Sequence, residues 1–217
     1  MAINTYATLV AAIEEWLARD GDTTLSARIP DFITLAESKF NRTLFIPQME
    51  KRATADVDTA SDEPEFITLP SDFQTMRRVR LNSVAGKPRL EFLTHTQIED
   101  YRYGIENVSG QPIYFSIVGS EMELAPTPND DYTLEMVYRA NVPALTSSNT
   151  TNWLLTLAPD LYLYGALLES SPYLRDDDRI AVWAAGMSSS IEQLNALGSR
   201  QSFDIGPSQV MLSGPTP

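Results

Sequence analysis

The residues best suited to acid–base chemistry are His95, Glu99 and Asp100, which lie within six positions of one another. A hydrolase needs positioned groups that accept and donate protons, and histidine is the side chain that titrates near neutral pH. His95 is the single histidine, and no Gly-x-Ser-x-Gly sequence is present to hold a nucleophilic serine. We therefore predict that the chain is not an enzyme and has no catalytic residues. A cell-wall hydrolase that uses these three side chains remains the alternative.

The sequence also lacks the usual motifs that bind a metal ion, a cofactor or a phosphate group. The 217 residues include no cysteine, which excludes thiolate metal sites and cysteine nucleophiles. No calcium loop of the Asp-x-Asp-x-Asp-Gly type and no Gly-x-Gly-x-x-Gly fingerprint occurs. Ala85-Gly86-Lys87 lacks the earlier glycine and the following hydroxyl residue of a P-loop. We predict no metal ion and no cofactor.

The charge of the chain is strongly acidic, with 16 Lys and Arg against 29 Asp and Glu, a net charge of −13. This balance disfavours a surface that coats nucleic acid or an anionic membrane, because such surfaces need clustered cations. Arg77, Arg78 and Arg80 form a local basic strand in this acidic background. Two interpretations stay open: a contact with nucleic acid or an acidic partner, or a solvent-facing strand neutralised by neighbouring acids.

Aromatic residues offer one further binding chemistry. Tyr101, Tyr103 and Tyr114 could form the sugar-binding surface of a tail-associated carbohydrate-binding module. Tyrosines with buried rings and solvated hydroxyls are ordinary in folded proteins. We keep this module as an alternative and rank it below a structural role.

Helical periodicity marks both ends of the chain. Tyr6, Leu9, Ile13 and Trp16 lie on one stripe, and a second helix is predicted from near Thr24 or Ser26, with Pro30 in its first turn. Helices return after Asn152, where Pro159 opens one helix, Asp176–Asp178 begin another and Gly198 ends it.

The middle of the chain alternates with the period of two that is typical of strands. Alternation begins near Met49 and places Arg78 and Arg80 opposite to Val79 and Leu81. Gly119-Ser120 predicts a two-residue hairpin turn of type II′. This turn sets Ile117 across from Met122 and Phe115 across from Leu124.

These elements predict an α+β fold. A helical bundle is formed by residues 1–48 and 142–198, an antiparallel β domain of residues 49–141 is inserted into it, and residues 199–217 form an extended arm. The arm carries Phe203, Ile205, Val210, Met211 and Leu212 among prolines and glycines. Apolar residues on such a segment need a groove that buries them. With Phe45 and Ile46, they are candidates for an oligomer interface, or they pack on their own subunit.

Two blocks of the helical ends resemble the head-to-tail adaptor proteins of short-tailed bacteriophages. The first runs through 27–37 and 41–44 and the second through 152–155 and 159–169, while Leu69-Pro70-Ser71-Asp72-Phe73 resembles a strand-entry turn of the same family. The resemblance spans most of the chain and weakens after Gly198. Its motifs are signatures of packing rather than of catalysis.

The resemblance implies a structural virion protein in the tail or neck of the particle. Such adaptors form a twelve-fold ring between the portal protein and the tail nozzle protein, and they line the conduit through which DNA passes without sequence-specific binding. The N-terminus has no signal-peptide pattern. We accordingly expect synthesis and assembly in the host cytoplasm, with no membrane partner.

Overall fold

The fold is taken from a computed structural model. It describes residues 2–19, 21–105, 108–174 and 179–204, and of residues 202–204 it describes the backbone alone. Two compact units divide this part of the chain. The helical unit comprises the described residues of Met1–Pro47 and Val142–Pro217, and the β unit comprises those of Gln48–Asn141.

The secondary structure is mixed, as the sequence predicts. The helices are, in chain order, α1 (Tyr6–Trp16), α2 (Thr23–Ser26), α3 (Ile29–Thr43), α4 (His95–Gly104), α5 (Trp153–Leu157), α6 (Pro159–Leu174) and α7 (Ile180–Asp204). The strands are β1 (Glu50–Asp56), β2 (Phe66–Thr68), β3 (Phe73–Leu81), β4 (Arg89–Phe92), β5 (Tyr114–Val118), β6 (Glu121–Ala125) and β7 (Thr133–Ala140). A short 3-10 helix at Pro47–Met49 precedes β1, so Met49 is not part of the strand.

The second helix that the sequence predicts is divided into α2 and α3. The Asp22 side chain caps α2 by accepting hydrogen bonds from the N–H groups of Thr24 and Leu25. The prediction of one continuous helix was wrong because Pro30 has no N–H to donate to Ser26, and its ring would meet that carbonyl. The helix therefore stops at Ser26 and begins again at Ile29, where Pro30 fits in the first turn.

Helix α6 is the centre of packing in the helical unit, where it contacts α1, α3 and α7. The Tyr162 ring of α6 packs edge-on against the Phe40 ring of α3, with ring centroids 5.3 Å apart. On another side, Tyr164 meets Trp16 of α1 at 6.0 Å. The sequence predicts burial on most sides for this helix, since apolar residues surround it. Its burial pattern confirms this prediction.

Glu37 of α3 is the centre of a polar network inside the helical unit. It is a charged residue type, yet only 5% of its surface is exposed. Its Oε1 accepts hydrogen bonds from the Leu145 N–H at 2.8 Å and the Tyr162 hydroxyl at 3.0 Å. Asn152 in turn donates to the Tyr162 hydroxyl oxygen at 2.6 Å and to the Pro143 carbonyl at 2.7 Å. The network thus fastens the segment after the β unit to both α3 and α6.

Helix α7 continues to Asp204, so the prediction that Gly198 ends it was wrong. A Cβ at Gly198 would lie 2.9 Å from Ile46 Cγ2 and 3.1 Å from Pro47 Cδ. Glycine is needed there for close approach to the chain after α3, rather than as a cap. Nearby, the Asn195 side chain accepts from the Phe45 N–H at 2.7 Å and donates to the Thr43 carbonyl at 3.0 Å. Residues 199–204, predicted as the start of the arm, are therefore helical.

Some predicted features lie outside the described residues. These are Asp176–Asp178 and, in the predicted arm, Ile205, Val210, Met211 and Leu212. Phe203 lies on the described backbone of α7, and its side chain is not described.

The β unit contains a seven-stranded sheet in the order β1-β7-β3-β4-β5-β6-β2. Its apolar core lies on one face, to which β7 contributes Leu134, Met136 and Tyr138. Alternate residues of β7, Glu135 and Arg139, therefore point to the other face.

The hairpin of β5 and β6 has the predicted register. Ile117 pairs with Met122 and Phe115 pairs with Leu124. Gly119 adopts a φ of +64°, the left-handed conformation that the first position of a type II′ turn needs. The alternation of apolar residues and the turn chemistry agree here, and the prediction is confirmed.

One pair of strands contradicts the expected antiparallel arrangement. Strands β4 and β5 are parallel, with Glu91 beside Tyr114 and Phe92 beside Phe115. Helix α4 lies between them in the chain, and a parallel pair needs such a crossover connection. The sheet is therefore mixed, and the prediction of a purely antiparallel domain was wrong.

Candidate interaction surface

Arginines from four neighbouring strands lie on the face of the sheet opposite to the apolar core. This arginine face consists of Arg52 of β1, Arg77, Arg78 and Arg80 of β3, Arg89 of β4 and Arg139 of β7. The pairing places them together, because residues directly opposite each other on neighbouring strands share a face. Arg80 is opposite Glu135 on one side and Arg89 on the other, while Arg52 and Arg78 are both opposite Val137.

Glu135 is the acidic centre of the arginine face and is only 2% exposed. Its carboxylate oxygens lie 2.7 Å from Arg80, 3.5 Å from Arg52 and 3.7 Å from Arg78. The close contact with the Arg80 guanidinium is the main cause that lowers the pKa of Glu135, and the charges of Arg80, Arg52 and Arg78 add to it. Guanidinium groups rather than apolar side chains cover this carboxylate, so it stays ionised.

The face carries more positive than negative charge. Glu135 offsets one of the three arginines that contact it, and Glu50 lies 3.5 Å from Arg77. Arg89 is exposed and makes no ion pair with any described residue, although it is directly opposite Arg80. Like charges that face each other across strands are destabilising. Arg89 is therefore opposite a like charge and has no ion pair with a described residue to offset it.

A register shift brings Arg77 onto the arginine face. Strict alternation would place Arg77 with Val79 and Leu81 on the core side, but the pairing of β3 with β7 shifts by one residue between Met76 and Arg78. Such a bulge opposes two residues to one and re-aims side chains. As a result Arg77 reaches Glu50 of β1, and burial together with the nearby charge of Arg77 lowers the pKa of Arg139.

An open groove adjoins the arginine face. Over its first half, β3 pairs with β7 alone, because β4 pairs with β3 only at Val79 and Arg80. The groove has a volume of about 510 Å³ and is lined by Phe73, Met76, Arg77, Arg78, Arg89, Leu90, Phe92 and Phe115, among others. Phe92 is 59% exposed at this place. The surface therefore combines cationic groups with an accessible apolar patch.

The structure brings together the three arginines that the sequence singled out and adds three that it did not. Arg78 and Arg80 share Glu135, and Arg77 joins them through the register shift. Arg52, Arg89 and Arg139 belong to strands that are distant in the chain. Alternation alone identifies their faces but not which strands are neighbours, so no signal in a single sequence would have found the cluster.

Two apolar candidates for an interface, Phe45 and Ile46, differ in solvent exposure. Phe45 is 61% exposed, whereas Ile46 is 5% exposed and packs against Gly198 within the helical unit. The burial of Ile46 is therefore due to packing inside its own subunit. The N–H of Phe45 donates a hydrogen bond to the Asn195 side chain at 2.7 Å.

His95 lies between carboxylates at the start of α4. Its Nδ1 is 2.8 Å from Oε2 of the buried Glu123, and its Nε2 is 3.4 Å from Glu99. Arg102 holds the other oxygen of Glu123 at 2.8 Å. The hydrogen bond with Glu123, followed by the charges of Glu123 and Glu99, raises the pKa of His95. This environment favours the imidazolium, which cannot accept a proton, so it disfavours the general base that a hydrolase would need.

Replacing Glu123 by glutamine is expected to lower the pKa of His95 towards the ordinary value of about 6.5. In the wild type the raised pKa means that the His95–Glu123 pair stabilises the fold fully below pH about 6.5, and that this contribution is lost as the pH rises through the folded value. The single histidine makes the NMR titration of its ring protons unambiguous. An unchanged titration midpoint in E123Q, with Glu99→Gln as the matched control, would contradict the assigned pairing.

The three tyrosines proposed for sugar binding do not form one platform. Tyr101 and Tyr114 are partly buried and pack edge to face, with ring centroids 5.0 Å apart. Tyr103 is 90% exposed. The edge-to-face packing of the first two rings presents no shared flat surface against which a sugar could stack.

Across the described ranges, no group of three or more His, Asp or Glu side chains is arranged to hold a metal ion. None of the described helices combines the length and apolarity that crossing a membrane requires.

Comparison with known proteins identifies a family. The family model described as SU10 adaptor protein matches residues 4–210, which covers both units. No curated protein matches the chain.

Proposed function

This chain belongs to the SU10 adaptor protein family, a family of bacteriophage adaptors, and we propose that it is the head-to-tail adaptor of a short-tailed phage. In this role it forms a ring, twelve-fold in the adaptors that it resembles, between the portal protein and the tail nozzle protein. It is a structural component of the virion neck that assembles in the host cytoplasm. The match over residues 4–210 is the observation that carries this proposal.

The charge of the chain fits the lining of a DNA conduit. A net charge of −13 gives a negative field that repels phosphate, so DNA can pass without being held. Specific retention of DNA would instead require cations along the path. The arginine face is local and partly offset by Glu135 and Glu50.

A ring also needs two different complementary surfaces on each subunit, because its contacts are heterologous. The β unit offers a binding surface in the arginine face and groove, and the helical unit exposes Phe45. The arginine face is presented by strands whose register is fixed by their pairing, and Phe45 lies in the segment between α3 and the 3-10 helix. This is the property expected of a protein that connects others through its shape rather than through chemistry.

The proposal predicts that the purified chain forms a ring, either alone or on the portal protein. Sedimentation velocity of the chain, of the portal and of their mixture measures this, and negative-stain imaging shows the ring. We expect the mixture to contain a species that includes both proteins in equal copy numbers. A chain that stays monomeric and sediments apart from the portal at micromolar concentration would contradict the proposal.

A further inference from the structure

A second charged surface lies on the β unit at one end of the sheet, in two loops and the last residue of β1. This acidic rim consists of six exposed carboxylates: Asp56, Asp58, Asp62, Glu63, Asp130 and Asp131. Its two loops are joined, because both the N–H and the hydroxyl of Thr59 donate to Asp131, at 3.1 and 2.7 Å. The rim is thus an ordered part of the unit rather than a loose acidic segment.

The acidic rim has no cationic partner among the described residues of its own subunit. The sequence contains no Lys or Arg between Arg52 and Arg77, or between Arg102 and Arg139. None of the six carboxylates makes an ion pair with a described residue; the ion pairs of the β unit use other acids. The β unit therefore carries an excess of negative charge on its rim and an excess of positive charge on the arginine face.

We propose that the arginine face of one copy binds the acidic rim of a neighbouring copy, and that this contact is the heterologous interface of the ring. The inference rests on the proposed ring. It explains two uncompensated surfaces at once, since each copy supplies the charge that the other lacks. Guanidinium groups suit it, because their planar donors bind carboxylates in pairs.

Carboxylates of a second copy fit the arginine face better than DNA does. The whole chain is acidic, so its long-range field opposes the approach of a duplex, while the rim of another copy is present at equal concentration. Charge complementarity gives orientation and association rate more than affinity. The groove beside Arg89 supplies apolar surface that the same contact can bury.

Charge reversal tests this contact. The face variant combines Arg77→Glu and Arg89→Glu, and the rim variant combines Asp62→Lys and Glu63→Lys. Arg80 is left intact because it holds the buried Glu135. Single reversals in the same unit, Lys87→Glu and Asp100→Lys, serve as controls that change the net charge in the same direction by half as much, and circular dichroism confirms that every variant is folded.

We expect each variant alone to lose self-association at least about 100-fold, since it opposes like charges across the interface. An equimolar mixture of the two should assemble again. In one contact the new glutamates of the face variant meet the new lysines of the rim variant, and in the alternating contact the wild-type face of the rim variant meets the wild-type rim of the face variant. The controls should assemble as the wild type does. Sedimentation velocity and chemical cross-linking measure all of these, at low and at high salt. Assembly of the wild type should weaken at high salt.

Four results would overturn the inference. If the wild type forms rings and both variants do too, the interface lies elsewhere while the proposed function stands. If the mixture assembles no better than its components, the two surfaces do not meet. If the wild type retards duplex DNA and the face variant does not, the face is a nucleic-acid contact. A wild-type chain that stays monomeric even with the portal contradicts the proposed function as well. The experiment on the wild type shows this outcome before any variant is compared.

Discussion

Replacing Glu37 by leucine is expected to lower the free energy of unfolding of the helical unit by about 3 kcal/mol. Leucine cannot accept the hydrogen bonds that the Leu145 N–H and the Tyr162 hydroxyl donate to Glu37. Each buried donor left without an acceptor costs roughly 1–3 kcal/mol, and both bonds are buried. The segment that follows the β unit would lose its attachment to α3. Denaturant unfolding followed by circular dichroism measures the loss.

Glu37→Gln is the matched control, since its side-chain carbonyl can still accept a hydrogen bond, and we expect a loss of about 1 kcal/mol. Burial raises the pKa of Glu37 more than its hydrogen bonds lower it. The folded state therefore holds this proton to higher pH than the unfolded chain does, and the stabilisation is present at low pH and is lost as the pH rises through the folded pKa. The glutamine variant should lack this dependence. Equal stability of the leucine variant and the wild type would contradict the network.

Replacing Gly165 by valine is expected to destabilise the helical unit by about 3 kcal/mol or more. A Cβ at Gly165 would lie 2.7 Å from Phe40 Cζ and 3.1 Å from the Ala36 Cβ. Helices α3 and α6 could accommodate the larger side chain only by moving apart, which would also disturb the contact between Phe40 and Tyr162. Thermal unfolding of Gly165→Ala and Gly165→Val should show a graded decrease in Tm.

Gly104→Ala provides the matched control, because a Cβ at Gly104 would meet nothing within 4 Å. It lies in the last turn of α4 and should change stability by less than about 1 kcal/mol. A second variant, Phe40→Leu, should recover part of the loss in Gly165→Val by providing space. Wild-type stability of Gly165→Val would show that α3 and α6 do not approach each other as closely as described.

Local features of the fold could be predicted from the sequence where turn chemistry and periodicity agree. The hairpin at Gly119-Ser120 is one example, because its register follows from a two-residue turn and from the alternation of Phe115 and Ile117. The faces of Arg78 and Arg80 are another, since strand alternation determines them. Both depend only on residues that are close in the chain.

The features that were missed depend on contacts between distant segments. The parallel pairing of β4 and β5 follows from how the chain returns after α4, and the register shift that re-aims Arg77 follows from pairing with β7. Gly198 predicts a helix end from the sequence alone, and its close approach to Ile46 gives another reason for a glycine at this place within the helix. Of the candidate surface, half of the arginines were therefore identified, while Glu135, which gathers three of them, was not.

The most direct test of the adaptor role is electron microscopy of phage particles assembled without this chain. The phage that encodes it is given a nonsense codon early in the gene and grown in a non-suppressing host. We predict heads that carry the portal but no tail, and recovery of tailed particles when the purified wild-type chain is added to the lysate. Complete tailed particles in the absence of the chain would contradict the account.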